Sequence, residues 1–393
     1  MASAVTHRRY KYFPSLDIVR FVAFMLVFVS HASLFFGYHN DSAGWVQFRE
    51  IFLTHGDLGV TFFFVLSGFL ITYLLMSERH QNGVINIKKF YMRRLLRIWP
   101  LYFITLMIAT VFLPYFVGIM GVKNTLPFDV FQNLNNYPWY VFFLGNFNMF
   151  VGGGAPAVTL AVLWSISVEE QFYLLWPLAI KTIKKRYLPW ILSTVVILAT
   201  VYRFVYANDY STVKYSTFSV MSDIAIGCMV AWLFFEKSRL TLWAKNLSHV
   251  KAFFLYYSSL TILILSRSFI YDVQIEWVKR ILIGIEPVIF AILFAFIISR
   301  LAGLRDDFIT GKHPVQKMFV YLGQISYGLY CYHMIVLVLI LTAFSQAGYS
   351  IVYSSIPQMF AVFFLTLVVT IIFAMVSYHF IERNILKLKN KYH

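Results

Sequence analysis

The sequence predicts an all-α integral membrane protein, a bundle of about ten transmembrane helices with one re-entrant or interfacial segment. Three observations predict it. Of 393 residues, 60% are hydrophobic and only 13% charged, where soluble domains run about 45–50% apolar and about 25% charged. The apolar runs are about 20 residues long, enough to cross the hydrocarbon core as helices, whereas outer-membrane barrels show short alternating segments. The basic residues cluster in alternate loops, the pattern of a chain threaded back and forth through a bilayer. A single membrane domain over 1–393 is expected, with no appended soluble domain, because the longest outer loops, 38–56 and 118–161, are too short for one.

The first span, 16–37, opens with "LDIVRFVAFMLVFVSH". It is too long for a signal peptide, holds charged groups and lacks a small-residue cleavage site, so it is read as retained. Arg20 and His31 are eleven residues apart, about 1100° of rotation, so they share a helix face about 16 Å apart along the axis. A cation at one end and an imidazole at the other suit a molecule that enters from one side and reacts deeper in the membrane. The plainer reading has Arg20 snorkelling to the headgroups and His31 as a hydrogen-bonded core residue. Ionisable groups inside spans are functional candidates by default.

The second span, 57–76, begins "HGDLGVTFFFVLSGFL". Asp57 sits at a depth His31 could approach, where a carboxylate would hold the imidazole tautomer. It would equally serve as a helix cap, and His55 competes for either task. Ser67 and Gly68 suit close helix packing. The third span, 97–117, follows "FYMRRLLRIWPLYF". Arg94 and Arg97, three apart, face one way while Arg93 points elsewhere. Arginine suits bidentate phosphate contacts, though such clusters also bind headgroups or stop transfer.

The piece 137–150 is too short to cross comfortably and ends in "FVGGGAP", which makes it the re-entrant or interfacial candidate. The fourth span, 162–182, carries "LWSISVEEQFYLLWP". Glu169 and Glu170 are 100° apart on the helix, so at least one needs a partner, an arginine or a polar cluster such as Gln171 and Tyr173. Spans 187–205, 216–235, 251–270 and 279–299 are plain apolar runs. The ninth, 319–344, contains "GQISYGLYCYHMIV", where His333 reads as a satisfied bundle contact and Gly323 and Gly328 as packing positions. The tenth is 356–380.

Net charge is +16. Twenty-five of the 33 lysines and arginines fall on one side of this topology. The other side has Arg49, Lys123, Arg203, Lys214, Arg267, Lys279 and Arg280. The positive-inside rule makes the dense side cytoplasmic, with both termini inside. Demoting 137–150 from a full span keeps "KTIKKR" on that side. The charge is therefore topology rather than a nucleic-acid surface. Only Cys228 and Cys331 occur, both within spans, which argues against a disulfide framework or a cysteine-ligated metal.

In order, "LDIVRFVAFMLVFVSH" with its arginine, ten residues and histidine, "GVTFFFVLSGFLITYLL", the Arg-x-x-Arg of "FYMRRLLRIWPLYF", "LWSISVEEQFYLLWP" and "ISYGLYCYH" resemble membrane-bound acyltransferase family 3 over about 16–380. That family comprises bacterial integral-membrane carbohydrate O-acyltransferases. Thr61 stands where the family often has Asp or Gln. The resemblance implies transfer of an acyl group, often acetyl from acetyl-CoA, to a carbohydrate hydroxyl in the bacterial inner membrane. Arg20, Arg94 and Arg97 would grip the coenzyme A phosphates. His31 would act as general base or acyl relay, oriented by Asp57 or Glu169. No metal is expected. The competing class is a proton-coupled transporter with His31 and Glu169 as relay groups; no two-fold internal repeat supports it. The acceptor glycan, the acyl chain and the oligomeric state are not legible.

Overall fold

A computed structural model of the chain describes residues 12–33, 49, 53–121, 136–151, 157–303, 313–349 and 356–388. Among these, ten helices are long and apolar enough to cross a membrane, and no β-strand occurs. Positions 34–37 of the first expected span, the "GGGAP" stretch and the basic residues Arg8, Arg9, Lys11, Lys123, Arg305, Lys312, Lys389 and Lys391 lie outside the described residues.

In chain order the helices that matter below are α1 (Pro14–Ser33), α2 (Gly56–Asn82), α3 (Ile87–Met107), α4 (Tyr137–Val141), α5 (Gly145–Phe150) and α6 (Trp164–Thr182). They continue with α7 (Leu188–Val205), α8 (Tyr210–Tyr215), α9 (Thr217–Phe235), α10 (His249–Asp272), α11 (Glu276–Gly303), α12 (Pro314–Gln324) and α13 (Ser326–Gln346). The expected third span starts earlier than its apolar run, because the basic stretch from Ile87 is already helical; the Asn86 side chain caps it by accepting from the Lys89 amide at 3.0 Å. The expected ninth span divides at Ile325 into α12 and α13.

Segment 137–150 forms two short helices, α4 and α5, rather than a span; its depth in a bilayer is not defined. The chain turns between them at Phe143, which has φ 55°. Gln171 of α6 fastens this turn, donating to the Phe143 carbonyl at 2.9 Å and to Asn146 Oδ1 at 2.8 Å.

Lipid offers no hydrophobic drive between helices, so packing depends on close backbone approach. A Cβ built at Gly68 of α2 would lie 2.1 Å from the Ile224 carbonyl oxygen, and one at Gly227 of α9 would lie 2.0 Å from that of Val65. Glycine at both positions lets α2 and α9 cross backbone to backbone. Gly323 similarly seats α12 on α1, where a Cβ would meet the Asp17 carbonyl at 1.8 Å. Gly328 is less tight, with its nearest neighbour at 3.4 Å. α2 and α13 are the most enclosed spans and α10 the most peripheral.

Candidate active site

α1 and α2 run antiparallel, since Gly56 packs on Ser30 and Gly59 on Ala23. The C-terminal end of α1 therefore meets the start of α2. A cavity of about 1300 Å³ lies there, with Ser30, His31, Asp57, Thr61, Trp164 and Lys214 among its lining side chains. This exceeds the usual small-ligand range of about 300–1,000 Å³. At the opposite ends of the same two helices is a second cavity of about 370 Å³, lined by Arg20, Arg93, Arg94 and Arg97 with Tyr12, Asp17 and Glu78. The two linings have no residue in common. α1 thus presents Arg20 to one cavity and His31 to the other.

The imidazole of His31 is held by a second histidine. His31 Nδ1 lies 2.8 Å from His333 Nε2, and the rings stack at 5.1 Å and 8°. His333 Nδ1 lies 2.6 Å from the Tyr330 carbonyl oxygen. A carbonyl only accepts, so this contact assigns the hydrogen to His333 Nδ1. A neutral imidazole has one N–H, which leaves His333 Nε2 as an acceptor and makes His31 Nδ1 the donor. His31 Nε2 then keeps its lone pair. Phe24 and Phe28 pack edge-on against the fully buried His333 and fix its plane.

Neither carboxylate expected beside His31 forms a hydrogen bond to it among the described residues. Asp57 is taken by Arg267 of α10, whose guanidinium bonds both carboxylate oxygens and also pairs with Glu286 of α11 at 2.6 Å. His55 joins the same guanidinium at 3.2 Å. Glu169 accepts from Ser67 Oγ at 2.6 Å and from Tyr173 OH at 3.0 Å. Ser67 is ten residues from Asp57, about 15 Å along α2, so this polar cluster lies midway between the cavities. Glu170 bonds Trp99 Nε1 at 2.9 Å. The physical reason is availability: stronger donors from α10, α2 and α6 itself reach these carboxylates, and the imidazole finds an acceptor on α13.

The three arginines expected to act together do share one cavity. Arg20 pairs with Asp17, which also accepts from Tyr12. Burial and the Asp17 carboxylate push the Tyr12 hydroxyl up to about 12, so it remains a donor at neutral pH. Arg94 lies over the rings of Phe90 and Tyr173, at 5.8 and 5.4 Å. Arg94 and Arg97 have no hydrogen bond or ion pair among the described residues. Arg93 lines the cavity too, but pairs with Glu78 at 3.2 Å.

The family described as an acyltransferase domain matches residues 13–375, nearly the whole chain and every residue of these two cavities except Tyr12. The chain belongs to the acyltransferase 3 family. Two Staphylococcus aureus relatives illustrate it. A provisionally named O-acetyltransferase of strain COL is 28% identical over 388 residues, 96% of this chain and 58% of the relative. The O-acetyltransferase OatA of strain NCTC 8325 is 28% identical over 394 residues, with the same coverage of each chain. The chain therefore spans little more than half the length of these relatives. No solved structure matches it.

Several residues of this acyltransferase-family chain escape a reading by span. His333 is 302 residues from His31, so no local spacing could pair them. Arg203, Lys214, Arg267 and Lys279 count as sparse outer-side charges in a topology tally, yet all four line the His31 cavity. Arg203 is 1% exposed and donates to the Gly284 carbonyl at 3.0 Å. That carbonyl lies in the turn before Pro287, whose missing N–H leaves the neighbouring Ile283 carbonyl without its ladder partner. Among the described residues no cluster of three or more potential metal ligands occurs.

Proposed function

We propose that the chain is a membrane-bound O-acyltransferase that moves an acyl group, acetyl in the simplest case, from acyl-CoA to a hydroxyl of a cell-surface or exported carbohydrate. The observation that carries the reading is the position of His31: its tautomer is fixed through His333, and it lines a large cavity at the far end of α1 from an arginine-lined one. Family membership supports acyl transfer, and the names of the relatives support an O-acetyl product.

In this reading the donor's phosphates rest on Arg94, Arg97 and Arg20, planar guanidiniums suited to bidentate contacts. The acceptor occupies the His31 cavity. His31 Nε2 takes the proton of the acceptor hydroxyl. The oxygen attacks the thioester carbonyl, the C–S bond breaks, and the departing thiolate recovers the proton from the imidazolium. In a relay variant Nε2 first accepts the acyl group and then passes it to the acceptor. Asp57, through Arg267, shapes the acceptor cavity rather than touching the base. Glu169, with Ser67 and Tyr173, stands on the route a thioester arm follows between the cavities. The loop asymmetry of lysine and arginine supports a cytoplasmic arginine cavity, cytoplasmic termini and a bacterial inner-membrane location.

Purified chain in sealed lipid vesicles, given labelled acetyl-CoA and a candidate glycan, tests this. Acceptor-dependent coenzyme A release with label on the glycan is expected. Label that crosses vesicle membranes without ester formation would overturn the reading in favour of a transporter.

A further inference from the structure

We infer that the acceptor carries an anionic group, a carboxylate or a phosphate, and that Lys214 of α8 receives it. The inference rests on the transfer reading above and extends it to the class of acceptor.

Charge inside the His31 cavity is unevenly matched. Its three lining carboxylates are already engaged: Asp57 and Glu286 by Arg267, and Asp223 by Ser222 Oγ at 3.1 Å. Lys214 pairs with no carboxylate among the described residues. Its amine donates to Tyr210 OH at 2.8 Å and lies over the rings of Tyr210 and Tyr215, at 5.0 and 5.4 Å. An ammonium has three donors, and the Tyr210 and Tyr215 hydroxyls leave at least one of them to fill.

A snorkelling lysine would extend along the lipid face toward headgroups. Lys214 instead folds onto two aromatic rings and lines the cavity that holds His31. Tyr215 in turn meets Trp164 edge to face at 5.2 Å. Trp164, Tyr215 and Tyr210 form an aromatic wall, a surface on which a sugar ring stacks, with one cation set into it. A cation with no carboxylate in contact among the described residues is costly in a membrane-embedded cavity. A substrate anion offsets that cost and fixes which hydroxyl of the sugar faces His31.

The test compares a neutral glucose oligomer with the same oligomer ending in glucuronate or in a glucose phosphate. Wild type is expected to favour one charged oligomer over the neutral one by roughly tenfold or more in kcat/KM, since a charge-assisted hydrogen bond contributes about 1.5–3 kcal/mol. The two charged arms separate a carboxylate from a phosphate source. Lys214→Met should collapse that ratio toward unity, and Lys214→Arg should keep most of it. Raising ionic strength should erode the preference in wild type without mutation, which covers failure of a variant to fold.

Equal use of charged and neutral acceptors by wild type, or the same ratio in Lys214→Met, overturns the inference and leaves acyl transfer standing. Salt-sensitive binding of charged oligomers followed by Trp164 fluorescence, with no transfer to any of them, would support the anion site and count against the transferase reading. No charge preference in binding or transfer at low salt overturns the anion site.

Discussion

His31 Nδ1 and His333 Nε2 lie 2.8 Å apart with their rings parallel within 8°, and the Tyr330 carbonyl orders the protons along the pair. In the proposed reading, with His31 as base, His333 is its positioning residue. A general base contributes about 10²–10⁴-fold, so His31→Ala should lower kcat by that much. His333→Leu removes the acceptor and frees the His31 ring to flip. It should cost at least about tenfold in kcat with little change in donor KM. His333→Gln, which offers an oxygen near the position of Nε2, should recover part of the loss. Equal activity of the Leu and Gln variants would refute the tautomer argument.

Among the described residues Arg97 offers its guanidinium to the smaller cavity without an ion pair, and Arg94 is held by rings alone. Arg97→Ala and Arg94→Ala should each raise the KM for acetyl-CoA by roughly 10–100-fold, the value of a charge-assisted contact. The same variants should respond weakly when the donor is acetyl-pantetheine, which has no phosphate. A uniform loss with both donors would mean that these arginines hold the helix in place rather than the nucleotide. Arg20 should follow with a smaller effect, because Asp17 competes for it.

The membrane class and the ten spans were legible because they rest on composition and apolar length, and the separation of His31 from Arg20 along α1 because it rests on spacing within one helix. The base's partner was not, because α1 and α13 meet only in three dimensions. Asp57 and Glu169 have the right residue type at the right depth, yet depth does not say which donor arrives first. For Asp57 that donor is Arg267, which hydropathy leaves as an isolated charge in the seventh of ten similar runs. The break at Ile325 and the turn at Phe143 escaped because apolar length ends neither element: Gln171 fastens the turn from another helix, and a local backbone cap on the Tyr321 and Gly323 carbonyls closes α12 at Ile325.

Arg267 ties α2, α10 and α11 together through Asp57 and Glu286. Asp57→Asn and Arg267→Met should each lower thermal stability, and the double variant should lose less than the sum. A coupling of about 0.5–3 kcal/mol is the range for residues in one network. Both should raise acceptor KM while kcat falls less than it does in His31→Ala. A loss of kcat in Asp57→Asn as deep as that of His31→Ala would return the carboxylate to direct partnership with the base.

Arg203 makes the strongest stability prediction. Its guanidinium is 1% exposed and donates to the Gly284 carbonyl at 3.0 Å, to Ser222 Oγ at 2.9 Å, to Thr200 Oγ1 at 3.3 Å and to the Ser219 carbonyl. These contacts join α7, α9 and the proline-interrupted part of α11. Arg203→Leu fills much of the volume but leaves several buried acceptors without their donor. Each such group costs about 1–3 kcal/mol. The variant should unfold at a clearly lower temperature in detergent, by an amount equivalent to about 3 kcal/mol or more. Arg203→Lys keeps the charge but cannot reach four acceptors from one nitrogen, so it should fall between the two. Melting at the wild-type temperature in Arg203→Leu would mean that the three helices hold together without this hub, by the close glycine crossings alone.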